Sequence, residues 1–327
     1  MLRFVAIIAY WAGLDCLFYW LNRRAKRIIT FHNVMPDELQ SIASIGVSES
    51  VTDFSAKLNE MAKHFSFSAD LSDEKTVTIT FDDGTINEYE VAGEILRERN
   101  IPAVLFVAGD IIDATPDKTL VTDKLLLWCN FAPDEMVEKV FGAKVARGVL
   151  WVKYVQPAYR RDWQNRGRNF LAELESVYSI KEIVKSLPHE WVRLRLSGVT
   201  QEQIETLRSR GWKIGWHTKS HYPLGMLDND AKREELSSSP EYRSVVLSYP
   251  YGDIGSIGVE SLKLVEKLGY PGAVSNDPNL SPYQGKFFAQ RMALSADKYQ
   301  LHLVLSGLKY FLKFRKLLPK NVIGLNQ

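Results

Sequence analysis

The stretch that decides the fold is V-T-I-T-F-D-D-G, from Val77 to Gly84. The β-branched and aromatic residues up to Phe81 favour a buried parallel strand. Asp82 and Asp83 follow at the carboxyl end of that strand, where ligands bind in α/β folds. Two adjacent carboxylates repel each other, so we expect a metal ion or a cationic side chain nearby. Read alone, the same D-D-G is also typical of a solvated turn.

Strand-like and helix-like segments alternate on both sides of that stretch. Residues 27–31 and 103–107 favour short apolar strands, and residues 54–65 have apolar side chains at helical spacing. This alternation predicts a parallel β/α architecture. Between about residues 112 and 190 the patterns are helical instead, which predicts a helical insertion in the parallel fold.

The composition is that of an ordinary folded protein. The chain has 327 residues, of which 46% are hydrophobic and 24% are charged, and its net charge is +2. This weak charge gives no argument for a nucleic-acid partner, and we expect none. The two cysteines, Cys16 and Cys129, form neither a disulfide framework nor a C-x-x-C zinc motif, which is compatible with a reducing, cytoplasmic location.

The N-terminal segment, residues 1–27, predicts a helix that interacts with a membrane. Leu2 to Leu21 is apolar and aromatic, and a basic flank follows at once. Its length would span a bilayer, but Asp15 in its middle favours a helix that lies in the membrane interface. If the segment does span, the basic flank leaves the following domain on the cytoplasmic face. The alternative is a buried helix of the globular domain.

The C-terminal segment, residues 301–327, is similar in kind. It is apolar with many basic residues, which predicts an amphipathic helix that suits an anionic membrane surface. The alternative is a closing helix that packs on the fold with its lysines in water. Residues 28–300 are then one α/β domain that includes the helical insertion.

Two histidines follow another predicted strand. Trp212 to Trp216 is short and apolar, and H-T-K-S-H follows from His217 to His221. Histidines at positions i and i+4 share one face of a helical turn, so their imidazoles converge. With one carboxylate they make the His₂Asp ligand set of a catalytic zinc-type site, which leaves positions open for water and substrate.

Three further features lie at predicted strand ends. His32 follows the strand 27–31, and a single histidine there is either structural or part of a site. Y-P-Y-G, from Tyr249 to Gly252, predicts a rigid turn whose backbone amides can point at a ligand. Arg291 lies near another strand end, where it can pair with one of the two carboxylates.

The motifs T-F-D-D-G, H-T-K-S-H and Y-P-Y-G occur in the order expected of polysaccharide deacetylases, and this sequence resembles that family from about Ile28 to Met292. The resemblance extends to the chitooligosaccharide and poly-N-acetylglucosamine deacetylases. It implies a distorted (β/α) barrel of about seven parallel strands. It also implies metal-dependent hydrolysis of the N-acetyl group of an acetamido sugar in a polysaccharide, an oligosaccharide or a lipid-linked glycan.

The resemblance also implies roles for the residues of the two best-defined motifs. Asp82 resembles the catalytic base. Asp83, His217 and His221 look like the ligands of a divalent metal ion, most often zinc in this family, that activates water.

Other positions match the family less closely. Tyr251 resembles the residue whose backbone N–H helps to hold the oxyanion, and Arg291 resembles the arginine that pairs with the catalytic aspartate. His32 is similar to the histidine that the poly-N-acetylglucosamine branch uses as general acid. Many members have an arginine before P-Y-G, where this chain has Ser248 and Tyr249. No C-terminal L-x-x-H motif is evident.

Two other functions remain open from the sequence. One is a different metal-dependent amidohydrolase that acts on small cyclic amides. The other is a membrane-attached carbohydrate-binding protein that has lost catalysis. The intact D-D-G and H-T-K-S-H motifs argue against the second, because a binding module needs no open metal position.

Overall fold

Parallel strands form the centre of the fold. The computed structural model describes residues 2–42, 45–276 and 285–318. The strands in these ranges, in chain order, are β1 (Arg27–Phe31), β2 (Asn33–Met35), β3 (Ser48–Ser50), β4 (Ser66–Phe67), β5 (Thr76–Asp83), β6 (Ala103–Val107), β7 (Lys213–Trp216), β8 (Leu247–Ser248), β9 (Ala273–Ser275) and β10 (Ala289–Gln290).

The main sheet is built around β5. It pairs in parallel with β1 and with β6, and β7 continues the sheet beyond β6. Every residue of β5 is buried, which agrees with its β-branched, apolar sequence. The register sets Asp82 opposite Phe106 and Asp83 opposite Val107, so both carboxylates lie at the carboxyl edge of the sheet.

A smaller parallel sheet extends the main sheet. Its order is β10-β9-β8, and a parallel bridge between Ile29 and Met292 joins it to β1. The parallel α/β architecture predicted from the alternating segments is therefore confirmed. Within the described ranges β7 and β8 do not pair, so closure into a barrel stays a prediction.

Helices cover the sheets, and they dominate the region between β6 and β7 for which the sequence predicts an insertion. The α-helices of the described residues are α1 (Leu2–Trp11), α2 (Leu14–Leu21), α3 (Asp37–Ile42), α4 (Val51–Ala62), α5 (Gly93–Glu98), α6 (Val121–Phe131), α7 (Asp134–Phe141), α8 (Arg147–Leu150), α9 (Gln156–Arg161), α10 (Arg168–Val177), α11 (Ile180–Ser186), α12 (His189–Leu196), α13 (Gln201–Ser209), α14 (Asn229–Leu236), α15 (Pro240–Arg243), α16 (Ile254–Ile257), α17 (Val259–Lys267), α18 (Lys298–Leu305) and α19 (Leu308–Phe314).

The N-terminal segment differs from the single helix predicted for it. It forms α1 and α2, which meet at 83°. Gly13 between them has a left-handed backbone with φ 70°, a conformation that breaks a helix at little cost only in glycine. In the described ranges no single helix has the length and apolar character needed to cross a membrane. The two helices of this bent pair, taken together, have that length and that apolar composition.

The helix pair has one buried and one exposed side. On the buried side, Ala6 and Phe18 pack with Leu303 and Leu308 of α18 and α19. On the other side large apolar side chains face outward. They are Phe4 (67% exposed), Ile8 (51%), Trp11 (75%), Leu17 (48%) and Trp20 (60%).

The basic flank of the N-terminal segment is only partly a surface feature. Arg23 and Arg24 are exposed, but Lys26 and Arg27 are buried. The Arg27 guanidinium donates hydrogen bonds to the backbone carbonyls of residues 22, 25 and 305, which ties the start of β1 to the end of α18. The interpretation of all four residues as a membrane flank is therefore wrong for Lys26 and Arg27.

The C-terminal segment is also two helices rather than one. Its first helix, α18, begins at Lys298, and Gly307 separates it from α19 with a left-handed φ of 84°. Residues 319–327, the end of the predicted amphipathic helix, lie outside the described part of the chain.

Candidate active site

Asp82 and Asp83 end the central strand with different surroundings. Side chains alternate along a strand, so neighbouring residues point to opposite sides. Asp82 has 1% and Asp83 8% of its surface exposed, so neither belongs to a solvated turn. Asp83 also has a left-handed backbone, φ 84°, which is uncommon for an aspartate and typical of functional sites.

Asp82 is paired with a buried arginine. The Arg291 guanidinium donates to both carboxylate oxygens, with Nη1–Oδ1 at 2.7 Å and Nη2–Oδ2 at 2.5 Å. Burial by itself would raise the pKa of Asp82, but the adjacent guanidinium more than offsets it and holds that pKa well below its usual value. Asp82 is therefore ionised at neutral pH.

A serine that the sequence did not single out as a site residue completes the environment of Asp82. The Ser248 hydroxyl donates to Asp82 Oδ1 at 3.1 Å and accepts from Arg291 Nη2 at 2.9 Å. Arg291 Nη1 also donates to the Thr80 hydroxyl, at 3.1 Å. The place of Ser248 at the end of a short strand, directly before the Y-P-Y-G turn, was the only signal for it.

Asp83 faces the two histidines of H-T-K-S-H. Its Oδ1 lies 3.7 Å from Nε2 of His217 and 3.4 Å from Nε2 of His221. One ligand atom from each of the three side chains lies within 4.8 Å of the others. The structure thus brings together the three residues for which the sequence predicts metal ligation.

The backbone that presents the histidines is not the predicted helical turn. Residues 217–221 form an irregular loop in which Thr218 and His221 have left-handed backbones, with φ 64° and 56°. Hydrogen bonds from Ser220 to Glu235 hold this loop in the conformation in which the two imidazoles converge. The buried carboxylate of Glu235 accepts hydrogen bonds from the backbone N–H and the hydroxyl of Ser220, at 2.8 and 2.6 Å. No sequence pattern identified Glu235.

The donor atoms of this cluster suit a divalent cation. Asp83 Oδ1 is buried and has no hydrogen-bond partner among the described residues. His217 Nδ1 is 2.8 Å from the backbone carbonyl of Ser248, which fixes the proton on Nδ1 and leaves the Nε2 lone pair facing Asp83. Burial lowers the pKa of His217 to about 4, so this imidazole is neutral at pH 7. One carboxylate and two imidazoles form a ligand set typical of zinc.

His32 lies beside the other aspartate. Its Nε2 is 3.8 Å from Asp82 Oδ2, its side chain is 20% exposed, and it is placed by the loop that follows β1. This histidine therefore sits at the same end of the sheet as the rest of the cluster, with access to solvent.

Tyr251 contacts the site from the Y-P-Y-G turn. Its ring lies 5.2 Å from the ring of His221, and its backbone is left-handed with φ 63°. The Tyr251 hydroxyl is 3.3 Å from the hydroxyl of Thr122 in α6. The Thr122 hydroxyl is in turn 3.5 Å from His221 Nδ1. The helical region between β6 and β7 thus contributes a residue to the surroundings of a predicted metal ligand, which the sequence did not reveal.

A third carboxyl group lies beneath the two aspartates. Glu88 is fully buried and accepts hydrogen bonds from the Gly84 backbone N–H and the Thr85 hydroxyl. Burial raises its pKa well above the usual value, and the charges of Asp83 and Asp82 raise it further. Both effects favour the neutral form of Glu88, which adds no negative charge beside the two aspartates.

Comparisons with known sequences identify the same stretch. A family model described as polysaccharide deacetylase matches residues 70–125, which include both aspartates. YxkH of Bacillus subtilis (strain 168), a curated protein provisionally named a polysaccharide deacetylase, is 29% identical to this chain over 105 residues. The match covers 30% of this chain and 37% of the length of that protein.

Two solved structures are similar in fold. BA0330 from Bacillus anthracis, provisionally named a polysaccharide deacetylase, has a TM-score of 0.51 and 12% identity, with 86% of this chain and 68% of that chain covered. A de-N-acetylase from Aggregatibacter actinomycetemcomitans has a TM-score of 0.50 and 13% identity, with 84% and 96% covered. The resemblance predicted from the motifs is therefore confirmed over residues 70–125, which match the polysaccharide deacetylase family model, and the fold of the chain is similar to the folds of these two solved structures.

Proposed function

We propose that this protein removes acetyl groups from the acetamido sugars of a glycan by metal-dependent hydrolysis. The substrate class is a polysaccharide, an oligosaccharide or a lipid-linked glycan that contains N-acetylated sugar. The products are acetate and the free sugar amine.

One observation carries the proposal. A buried, unpartnered carboxylate oxygen of Asp83 faces Nε2 of His217 and of His221, next to a second carboxylate that Arg291 keeps ionised. Asp83, His217 and His221 would hold a zinc ion, which would supply Lewis-acid polarisation of the acetamide carbonyl and would lower the pKa of water toward about 7.

The other residues of the site have complementary tasks. Asp82 accepts the proton of the attacking water, since it is ionised and is the chain neighbour of the proposed ligand Asp83. The Tyr251 backbone N–H donates to the developing oxyanion, and a donor of this kind contributes about 3 kcal/mol to transition-state stabilisation in other enzymes. His32, with access to solvent, donates a proton to the departing sugar amine. Dividing the acid and base roles between two groups lets both work at one pH.

Two alternatives differ in what they release. A related amidohydrolase would open small cyclic amides and leave acetylated sugars intact. A binding protein that has lost catalysis would bind the glycan and release no acetate. The charged, oriented state of Asp82 favours catalysis, because binding a neutral sugar requires no such base.

The experiment that tests the proposal is an acetate-release screen. Purified full-length protein is incubated with chitooligosaccharides, poly-N-acetylglucosamine and extracted membrane glycolipids, with and without a chelator. We expect acetate from at least one acetylated glycan, loss of that activity with the chelator, and recovery on adding zinc. Release from no glycan together with hydrolysis of cyclic amides would contradict the proposal.

We further propose that the protein attaches to a membrane surface through its N-terminal helices. The exposed apolar side of α1 and α2 includes Trp11 and Trp20, residues typical of the membrane interface. Exposed basic residues flank it: Arg24 follows α2, and Arg315 and Lys316 follow α19, which packs on α2. This combination suits an anionic lipid surface. We propose the cytoplasmic face for this attachment, because anionic lipids are concentrated in that leaflet, and protease access in vesicles of known orientation tests it.

A further inference from the structure

A second cluster of metal-type ligands lies away from the candidate active site. Glu60 and His64 are near the end of α4, and His302 is in α18. One ligand atom from each side chain lies within 4.8 Å of the others, as in the Asp83 cluster. His302 matches no predicted motif, and the sequence suggests only a structural residue in an apolar run.

The spacing of the donor atoms suits a small divalent cation. Glu60 Oε1 is 3.1 Å from Nε2 of His302 and 3.9 Å from Nε2 of His64. Zinc bonds to nitrogen and oxygen are about 2.0–2.2 Å, so ligand atoms of a tetrahedral site lie roughly 3.4 Å apart. The two distances bracket that value. The other carboxylate oxygen, Oε2, is paired with Lys63 at 2.7 Å and leaves Oε1 to the cluster.

His302 is oriented as a metal-bound histidine usually is. Its Nε2 is buried and makes no hydrogen bond with any described residue. Its Nδ1 is 3.0 Å from the Tyr19 hydroxyl, and Asp15 Oδ2 lies 3.8 Å from the same nitrogen. In histidine ligands the second ring nitrogen normally donates to such a partner, which fixes the tautomer and points the first nitrogen at the metal.

His64 is held by an aromatic ring and is open to solvent. The Tyr19 ring stacks on His64, with 4.3 Å between the ring centres. The His64 side chain is 32% exposed and gives an ion a path from solvent.

We propose that Glu60, His64 and His302 bind a divalent cation of the zinc class, and that this ion fastens the N-terminal helices to the enzyme body. Two histidines and a carboxylate are a ligand set that zinc prefers, with a fourth position for water. The ligands come from the body of the protein, whereas the groups that orient His302 come from α2.

The site gives a physical reason for the charge in the apolar N-terminal segment. Asp15 is buried, and its Oδ1 has no hydrogen-bond partner among the described residues. A buried, poorly paired carboxylate is costly unless positive charge lies near it. An ion on His302 supplies that charge, so binding of the metal favours the docked position of α2.

The test measures zinc on full-length protein whose active-site ligands are disabled. We use the variant D83N/H221A as background, so that the result does not depend on the proposed deacetylase function. Zinc titration of this background is expected to show one bound equivalent. Adding H64N, at an exposed position, is expected to weaken this binding by about tenfold or more. The matched control is H189N, an exposed histidine of α12 far from the cluster in sequence, which is expected to leave the binding unchanged.

Hydrogen exchange gives the second readout. In D83N/H221A, zinc is expected to slow exchange of the backbone amides of residues 2–21, and this protection is expected to disappear with H64N but to persist with H189N. Absence of a zinc equivalent in D83N/H221A, or undiminished binding with H64N, would overturn the site. Zinc binding without a change in exchange of residues 2–21 would overturn the fastening role.

Discussion

At the scale of single residues, the two aspartates of D-D-G differ in the side chains that surround them. Arg291 pairs with Asp82, while Asp83 has an unpartnered oxygen that faces two imidazoles. The adjacent charges predicted a cation nearby. The structure has a guanidinium beside the Asp82 carboxylate, and at Asp83 it has a group of side chains that could bind a metal cation. The sequence could reveal these charged residues because they stand at strand ends, where ligands of α/β folds bind.

Ser248 provides a prediction at this scale. In S248A the carboxylate of Asp82 loses the hydroxyl that donates to it at 3.1 Å, and Arg291 loses an acceptor. A hydrogen bond to a charged group contributes about 1.5–3 kcal/mol, so we expect kcat/KM for acetate release to fall about tenfold or more. Bound zinc is expected to stay the same.

The matched control is S261A. Ser261 is also buried and donates to the backbone carbonyl of Ile257, in a helix pair remote from Asp82 in the chain. Equal kinetic losses in S248A and S261A would show that Ser248 has only a general structural role.

The sequence alone could not predict which polar residues support the site through hydrogen bonds. Ser248, Thr122 and Glu235 are ordinary polar residues without a motif, and each acquires its role only when distant segments meet. Glu235, for example, tethers a loop that precedes it by more than ten residues in the chain.

At the scale of elements, the strands and capped helices were predictable but the loops were not. The helix Gln201–Ser209, for example, begins with a capping box formed by Thr200 and Gln203, which is a local signal that can be read from a sequence. The loop from His217 to His221 was predicted as a helical turn, because spacing alone cannot distinguish a turn of helix from a tethered loop.

The Y-P-Y-G turn gives the prediction for this scale. Gly252 has φ 80°, and a Cβ atom there would lie 2.2 Å from the backbone nitrogen of Asn276. We expect G252A to lower the free energy of unfolding and to reduce acetate release more than tenfold, because the turn that carries Tyr251 has to move. Chemical denaturation and the acetate assay measure the two effects.

Gly211 is the matched control for that change. Its φ is 83°, but no atom lies within 4 Å of the position of an added Cβ. The left-handed conformation alone costs alanine roughly 1–2 kcal/mol, so G211A is expected to lose about that much stability and to keep its activity. If G252A lowered the free energy of unfolding no more than G211A does, the interpretation of Y-P-Y-G as a tightly packed turn would be contradicted.

At the scale of the whole molecule, the N-terminal helices pack against the last two described helices of the chain. α1 and α2 pack on α18 and α19, and Arg3 forms an ion pair with Asp297 at 2.8 Å. Composition predicted the apolar character of both ends, but not their mutual packing or their division into short helices. That division depends on Gly13 and Gly307, whose left-handed backbones appear only in the fold.

Membrane attachment is testable at this scale. We expect the full-length protein to co-sediment with vesicles that contain phosphatidylglycerol, and less with vesicles of phosphatidylcholine alone. F4S/W11S removes two of the most exposed apolar side chains of α1 and is expected to reduce co-sedimentation at least tenfold. V152S, at a 62% exposed valine, is the matched control and is expected to bind as the parent does. Undiminished co-sedimentation of F4S/W11S would contradict attachment through these helices.

The most direct test of the account compares zinc content and acetate release in the same preparations of D82N and H221A, with folding verified by circular dichroism. We expect D82N to keep the zinc of the parent protein and to release no acetate, because it loses the base and not a ligand. We expect H221A to lose one equivalent of zinc together with its activity. Acetate release by D82N at the parent rate, or an unchanged zinc content in H221A, would contradict the account.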